Sequence, residues 1–108
     1  MSLYAQYIKE REGKNIIETD NAFISYVIDG DNCYIADIYI APEFRRKNIG
    51  SSLAAKVEEI ARENNCKYLT GSVTPSFKGA TVSMKAQLEY GFKIFEAHND
   101  FIILRKEL

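Results

Sequence analysis

The chain has no tryptophan, one histidine, two cysteines and two prolines in 108 residues. Cys33 and Cys66 stand apart, without C-x-x-C spacing, and a single histidine cannot complete a donor set. A thiolate–imidazole metal centre is therefore not expected. No secretory signal is apparent, so both thiols are expected to be buried and reduced, and the expected compartment is the cytoplasm. No apolar run approaches the roughly 18 residues of a membrane-crossing helix. Fourteen basic residues against fifteen acidic ones leave a net charge of −1. That balance offers no broad basic face for nucleic acid. Neither G-x-x-x-x-G-K-[ST] nor G-x-G-x-x-G occurs, so the nucleoside-triphosphate loop and the dinucleotide fingerprint are both missing. Repeats and low-complexity segments are absent as well. What is present is 46% hydrophobic and 27% charged, enough for one domain over residues 1–108 with a core of its own.

Apolar patterning divides the chain into short elements. Leu3 to Lys9, with its Tyr and Ile, reads as a first strand, and Gly13-Lys14 as a turn. Asn15 to Glu18 is a short apolar run. Ala22 to Ile28 is a strand by composition, Asp29-Gly30-Asp31-Asn32 a hairpin turn, and Cys33 to Ile40 the returning strand. From Ile49 to Glu63 the residues Leu53, Val57, Ile60 and Ala61 fall on one helical face, and Asn64-Asn65 ends it. Tyr68 to Val73 is a strand, broken by Thr74-Pro75-Ser76. From Ala80 to Tyr90 apolar and polar residues alternate, as in a strand. The residue types, however, are strong helix formers, and Gly91 is placed as a helix cap. The expectation here is a helix. Phe92 to Ala97 and Phe101 to Arg105 then form a hairpin.

One junction carries chemistry. An apolar strand ends at Ala41-Pro42-Glu43, the basic cluster Arg45-Arg46-Lys47 follows, and a helix opens at Ile49-Gly50-Ser51. The first turn of a helix presents free backbone N–H groups and the positive end of its dipole, which attract phosphate. Arginine and lysine side chains add charge at the same place. Small residues let a ligand approach the backbone. The segment Arg45-x-x-Asn48-x-Gly50 resembles the acetyl-coenzyme A motif [QR]-x-x-G-x-[GA] of the GNAT superfamily of N-acetyltransferases. The strand before it, the helix after it and the later Glu89-Tyr90-Gly91-Phe92 strengthen the likeness. Asn48 stands where the family usually has its first glycine; asparagine tolerates left-handed backbone better than other non-glycine residues.

The resemblance implies an α/β (α+β) fold: a GNAT-like twisted mixed β-sheet flanked by helices. The pair of helices that most members carry between their first two strands is missing, because too few residues separate Lys9 and Ala22. It also implies that the amides of Arg46, Lys47, Asn48, Ile49, Gly50 and Ser51, with Arg45, hold the pyrophosphate of acetyl-CoA. The pantetheine arm would pair with the backbone of Ile38-Tyr39-Ile40. The implied reaction transfers an acetyl group to a primary amine by direct attack in a ternary complex, with acetyl-CoA as co-substrate and no metal.

The general base is sought on the strand leading to the motif. Asp37 in Ala36-Asp37-Ile38-Tyr39-Ile40 resembles a family variant with an acidic residue there. A carboxylate on an apolar strand can acquire a raised pKa and accept a proton directly or through water. The same residue could equally be a carboxylate paired with a nearby lysine or arginine. Glu18, Glu96 and His98 are weaker rivals. Many relatives place a tyrosine four residues before the Gly-Phe pair to protonate the thiolate; here that residue is Gln87, which cannot supply a proton at neutral pH. Ser83, one turn earlier, is a poor acid, and Tyr90 is expected in packing. Acetyl transfer to an amine is thus the leading expectation, and a non-catalytic CoA- or acyl-CoA-binding sensor or interaction module is the alternative. A small-molecule or peptide amine is the expected partner, with neither nucleic acid nor membrane; the small size favours a homodimer.

Overall fold

The computed structural model describes residues 2–108. Among these residues, strands β1 (Asn15–Glu18), β2 (Ala22–Asp29), β3 (Asn32–Ile40), β4 (Tyr68–Val73), β5 (Lys93–His98) and β6 (Phe101–Glu107) form one sheet. Three α-helices accompany it: α1 (Leu3–Glu12), α2 (Ile49–Glu63) and α3 (Ala80–Tyr90). The strand order is β1-β2-β3-β4-β6-β5. Only β3 and β4 run parallel, joined by the crossover through α2; every other neighbouring pair is antiparallel.

The strand expected over Leu3 to Lys9 is instead helix α1. The Ser2 hydroxyl accepts the Ala5 N–H at 3.0 Å, capping the first turn. At the other end Gly13 turns left-handed at φ +70° and donates its N–H to the Lys9 carbonyl. Between those caps lies Gln6-Tyr7-Ile8-Lys9-Glu10-Arg11-Glu12, mostly good helix formers, and only Ala5 and Ile8 are buried. The caps and these residues outweigh the β preference of the Tyr and Ile residues. One helix, not a pair, therefore precedes β1. The ambiguous segment from Ala80 is helical, closed by Gly91 at φ +116°.

Alternation along the strands gives the sheet two faces. On one, Ile24, Cys33, Leu69 and Leu104 pack with Leu53 and Val57 of α2 into the fully buried core. Each aliphatic side chain there contributes about 1.5–3 kcal/mol relative to exposure. The other face carries the register pairs Phe23–Tyr39 and Ser25–Asp37. Helix α1 approaches this face, with the Tyr4 ring edge-on to Phe23 at 6.1 Å.

Two irregularities position the site. The β2–β3 register slips after Ser25–Asp37, so Ala36 is an extra residue in β3 and bends the strand. The β3–β4 ladder covers only Asn32–Tyr68, Cys33–Leu69 and Tyr34–Thr70. Beyond it β3 continues to Ile40 and β4 to Val73 without pairing to each other. The sheet thus splays open along the C-terminal half of β3.

Candidate functional site

Pro42–Phe44 forms a short 3₁₀ turn at the end of β3. Arg46 follows at φ +64° and Asn48 at φ +60°, both left-handed. Asn48 is the N-cap of α2, yet its side chain makes no capping hydrogen bond. The first backbone bond across the helix start is Ser52 N–H to the Asn48 carbonyl, at 3.1 Å. Among the described residues no backbone carbonyl accepts from the amides of Arg46 through Ser51, which leaves the positive end of α2 open to an anion. Arg45, Arg46 and Lys47 are exposed, and among the described residues no carboxylate pairs with any of them. Arg45 donates from Nε to the Ile40 carbonyl at 3.0 Å and lies 5.7 Å from the Tyr39 ring centre. Lys47 lies over Phe44. The residues read as one motif are thus brought together at the mouth of the splay.

Gly50 serves packing as well as access. A Cβ there would lie 3.3 Å from Ile40 Cδ1 and 3.7 Å from Ile38 Cδ1. The missing side chain lets α2 sit against β3.

At the apex of the splay the Tyr34 hydroxyl and Ser72 Oγ are 2.8 Å apart, joining β3 to β4. Gln87 reaches in from α3. Its Nε2 donates to the Ser72 carbonyl and to Ser83 Oγ, both at 3.2 Å. Its Oε1 is buried without a partner and stands 2.5 Å from where a Cβ of residue 71 would be, so Gly71 makes the room.

On the α1 face a cavity of about 570 Å³ is lined by Tyr4, Ile8, Glu12, Lys14, Ile16, Phe23, Ser25, Asp37, Ile38 and Tyr39. Ile38 borders both this cavity and the Gly50 contact, which places the cavity next to the motif. Asp37 is 61% exposed, with its Oδ2 3.5 Å from Lys14 Nζ and 3.4 Å from the Ser25 hydroxyl, which donates to it. Lys14 also meets Glu12 at 3.1 Å. The hydrogen bond to Glu12 holds the Lys14 ammonium above its ordinary pKa against the opposing effect of burial, and the Asp37 charge adds to it. Nothing in the local sequence marks Lys14, because its contact to Asp37 joins residues separated by β1 and β2. None of the rival bases lines this cavity: Glu18 ends β1, and Glu96 pairs with His98 at 2.8 Å on the far edge strand β5.

Cys33 and Cys66 are buried free thiols. Burial pushes Cys33 up to about 11, which makes it a poor nucleophile at neutral pH. Among the described residues no cluster of His, Cys, Asp and Glu could hold a metal ion, and no helix is long and apolar enough to cross a membrane.

A mixed sheet thus splays beside a helix N-terminus whose first amides are free. Residues 4–82 match the family described as Acetyltransferase (GNAT) family, and the chain belongs to it. The chain is 35% identical over 78 residues to a thialysine N-epsilon-acetyltransferase of Bos taurus, a match covering 71% of this chain and 46% of that protein. The Sus scrofa protein of the same name is 43% identical over 44 residues, 41% of this chain and 26% of that one. The chain thus spans less than half the length of these curated relatives. Among solved structures, the PaiA N-acetyltransferase of Thermoplasma acidophilum in complex with coenzyme A superposes with a TM-score of 0.77 at 19% identity, over 94% of this chain and 66% of that one. A GNAT family acetyltransferase of Elizabethkingia anophelis with acetyl-CoA bound gives 0.76 at 18% identity, over 95% and 82%. These two likenesses establish the shared fold.

Proposed function

We propose that residues 1–108 act as one domain that binds acetyl-CoA and transfers its acetyl group to a primary amine by direct attack in a ternary complex. The observation that carries this reading is the junction of β3 and α2. There the amides of Arg46 through Ser51 are free beside a strand edge released from its neighbour. Those amides, with Arg45, Arg46 and Lys47, would hold the pyrophosphate, and the exposed backbone edge of Ile38, Tyr39 and Ile40 would take the pantetheine amides. The unpartnered Oε1 of Gln87 is an acceptor in want of a donor at the same opening. Bound acetyl-CoA supplies an activated acyl group whose leaving thiol is acidic enough to depart without a strong acid. The adjoining cavity would seat the amine. Asp37 would fix the incoming ammonium and take its proton, directly or through water, with the Ser25 hydroxyl holding the carboxylate in place. The curated relatives carry a lysine analogue in their names, which supports an amine acceptor. We place the protein in the cytoplasm, with a homodimer as its form.

A second reading rests on Gln87. Its carboxamide is engaged with Ser72 and Ser83 and has no ionisable proton to give a thiolate, which suits a CoA- or acyl-CoA-binding module without turnover. Calorimetric titration with acetyl-CoA, against CoA and ATP, tests the shared premise. Micromolar binding of the CoA species with none for ATP supports it, and absence of binding rejects both readings. Release of free thiol with simple amines then separates enzyme from sensor.

A further inference from the structure

The cavity beside Asp37 holds its own cation. Three charged side chains line it, Glu12, Lys14 and Asp37, and Lys14 bridges the two carboxylates at 3.1 and 3.5 Å. Their sum is one negative charge. The Lys14 side chain is only 27% exposed and bonded on two sides, so it is a fixed part of the wall. Around this group stand Tyr4, Phe23 and Tyr39, whose successive ring centres are 6.1 Å apart. Aromatic faces attract an ammonium and pack against an apolar stem. Arg45, beyond Tyr39, adds positive charge on the motif side.

We propose that Lys14 sets the charge of the acceptor. Standing as a resident counter-ion between Glu12 and Asp37, it leaves the cavity suited to an amine that brings a single positive charge on an apolar or aromatic stem, and it repels diamines and polyamines. This is selection by a built-in repulsive group, which discriminates against the wrong ligand as well as favouring the right one. The inference rests on the acetyl-transfer reading of the same site. It assigns the acceptor class to a residue outside the motif and outside the proposed proton path.

The test compares wild type, Lys14→Met and Lys14→Arg with 2-phenylethylamine and 1,4-diaminobutane at matched ionic strength. Lys14→Met keeps most of the stem and removes the charge, exposing both carboxylates. The KM for the diamine should fall about tenfold relative to the KM for the monoamine, as expected for one unscreened neighbouring charge near a protein surface. Lys14→Arg should keep the wild-type ratio. A second readout needs no acetyl-CoA: the rise in melting temperature on adding diamine should be larger for Lys14→Met than for the other two proteins. The same ratio and the same thermal response in wild type and Lys14→Met would overturn the proposal. A wild type that neither binds acetyl-CoA nor releases thiol rejects the acetyl-transfer reading, and the thermal comparison still decides whether Lys14 governs ammonium binding.

Discussion

Ser51 lies in the first turn of α2, exposed, with its amide free. An aspartate there adds negative charge at the positive end of the helix, which stabilises a fold by about 0.5 kcal/mol and places a repulsive charge where the pyrophosphate would bind. Ser51→Asp should therefore melt a few degrees higher while losing at least about tenfold in acetyl-CoA affinity. Calorimetry beside a thermal melt reads both, and unchanged affinity would remove the amide cradle from the binding site. At this scale the sequence was legible where residue type and geometry agree. Asparagine at position 48 foretold a left-handed turn, and φ is +60°. Arg46, equally left-handed, was not foretold, because arginine has no preference for that conformation and the turn imposes it. Gly50 was expected to admit a ligand, and its contacts with Ile40 and Ile38 add a packing role. A bulky residue at 50 would push α2 from β3, so it is a poorer probe of binding than Ser51→Asp.

Among the elements, α2, β2, β3, β4 and β6 were legible because each contributes apolar residues to the core, whereas β5 is exposed throughout and was marked by its place between Gly91 and the turn at Asn99. Helix α1 was not legible. Its interior buries only Ala5 and Ile8, so no apolar stripe marks the 3.6-residue period, and the Tyr and Ile residues mimic a strand. The signals that were present lie at its ends, in Ser2 and Gly13. The segment from Ala80 to Tyr90 shows the same weakness, since none of its residues is fully buried, and Gly91 again marks the boundary. Because α1 supplies Tyr4, Ile8 and Glu12 to the cavity wall, its anchoring belongs to acceptor binding. Ile8→Ala should destabilise the protein by about 2 kcal/mol. It should also raise the KM of the amine while leaving acetyl-CoA affinity unchanged. Steady-state kinetics with calorimetry checks the split, and an equal loss of both affinities would contradict this division of labour between α1 and the motif.

For the molecule as a whole, the mixed sheet followed from the resemblance to the family and the opening at the end of β3 from Ala41-Pro42, whereas the extra residue Ala36 did not, because it leaves no mark in the residue pattern of the strand. Nor did the tie that closes the core's far side. Glu58 of α2 is only 17% exposed at its side chain. It accepts from Lys106 Nζ of β6 at 3.0 Å, from Tyr90 of α3 at 3.1 Å and from the Arg62 guanidinium one turn along. Burial alone would raise its pKa, but the hydrogen bonds from Lys106, Arg62 and Tyr90 outweigh it and hold the carboxyl below its usual 4.5. Burial, together with the Glu58 charge, pushes Tyr90 up to about 12, so the phenol stays a donor throughout the acid and neutral range. A carboxylate with a depressed folded pKa stabilises the protein above its unfolded value, and that stability is lost as pH falls through the folded one. Glu58→Gln should accordingly be less stable than wild type by about 1–2 kcal/mol at pH 7. The gap should hold down to about pH 5 and shrink below 4.5, as wild-type Glu58 takes up its proton. Chemical denaturation of both proteins between pH 7 and pH 3 measures it. A gap that stays constant across that range would mean that Glu58 acts through packing and not through charge, and that the junction of α2, α3 and β6 is held by its apolar contacts.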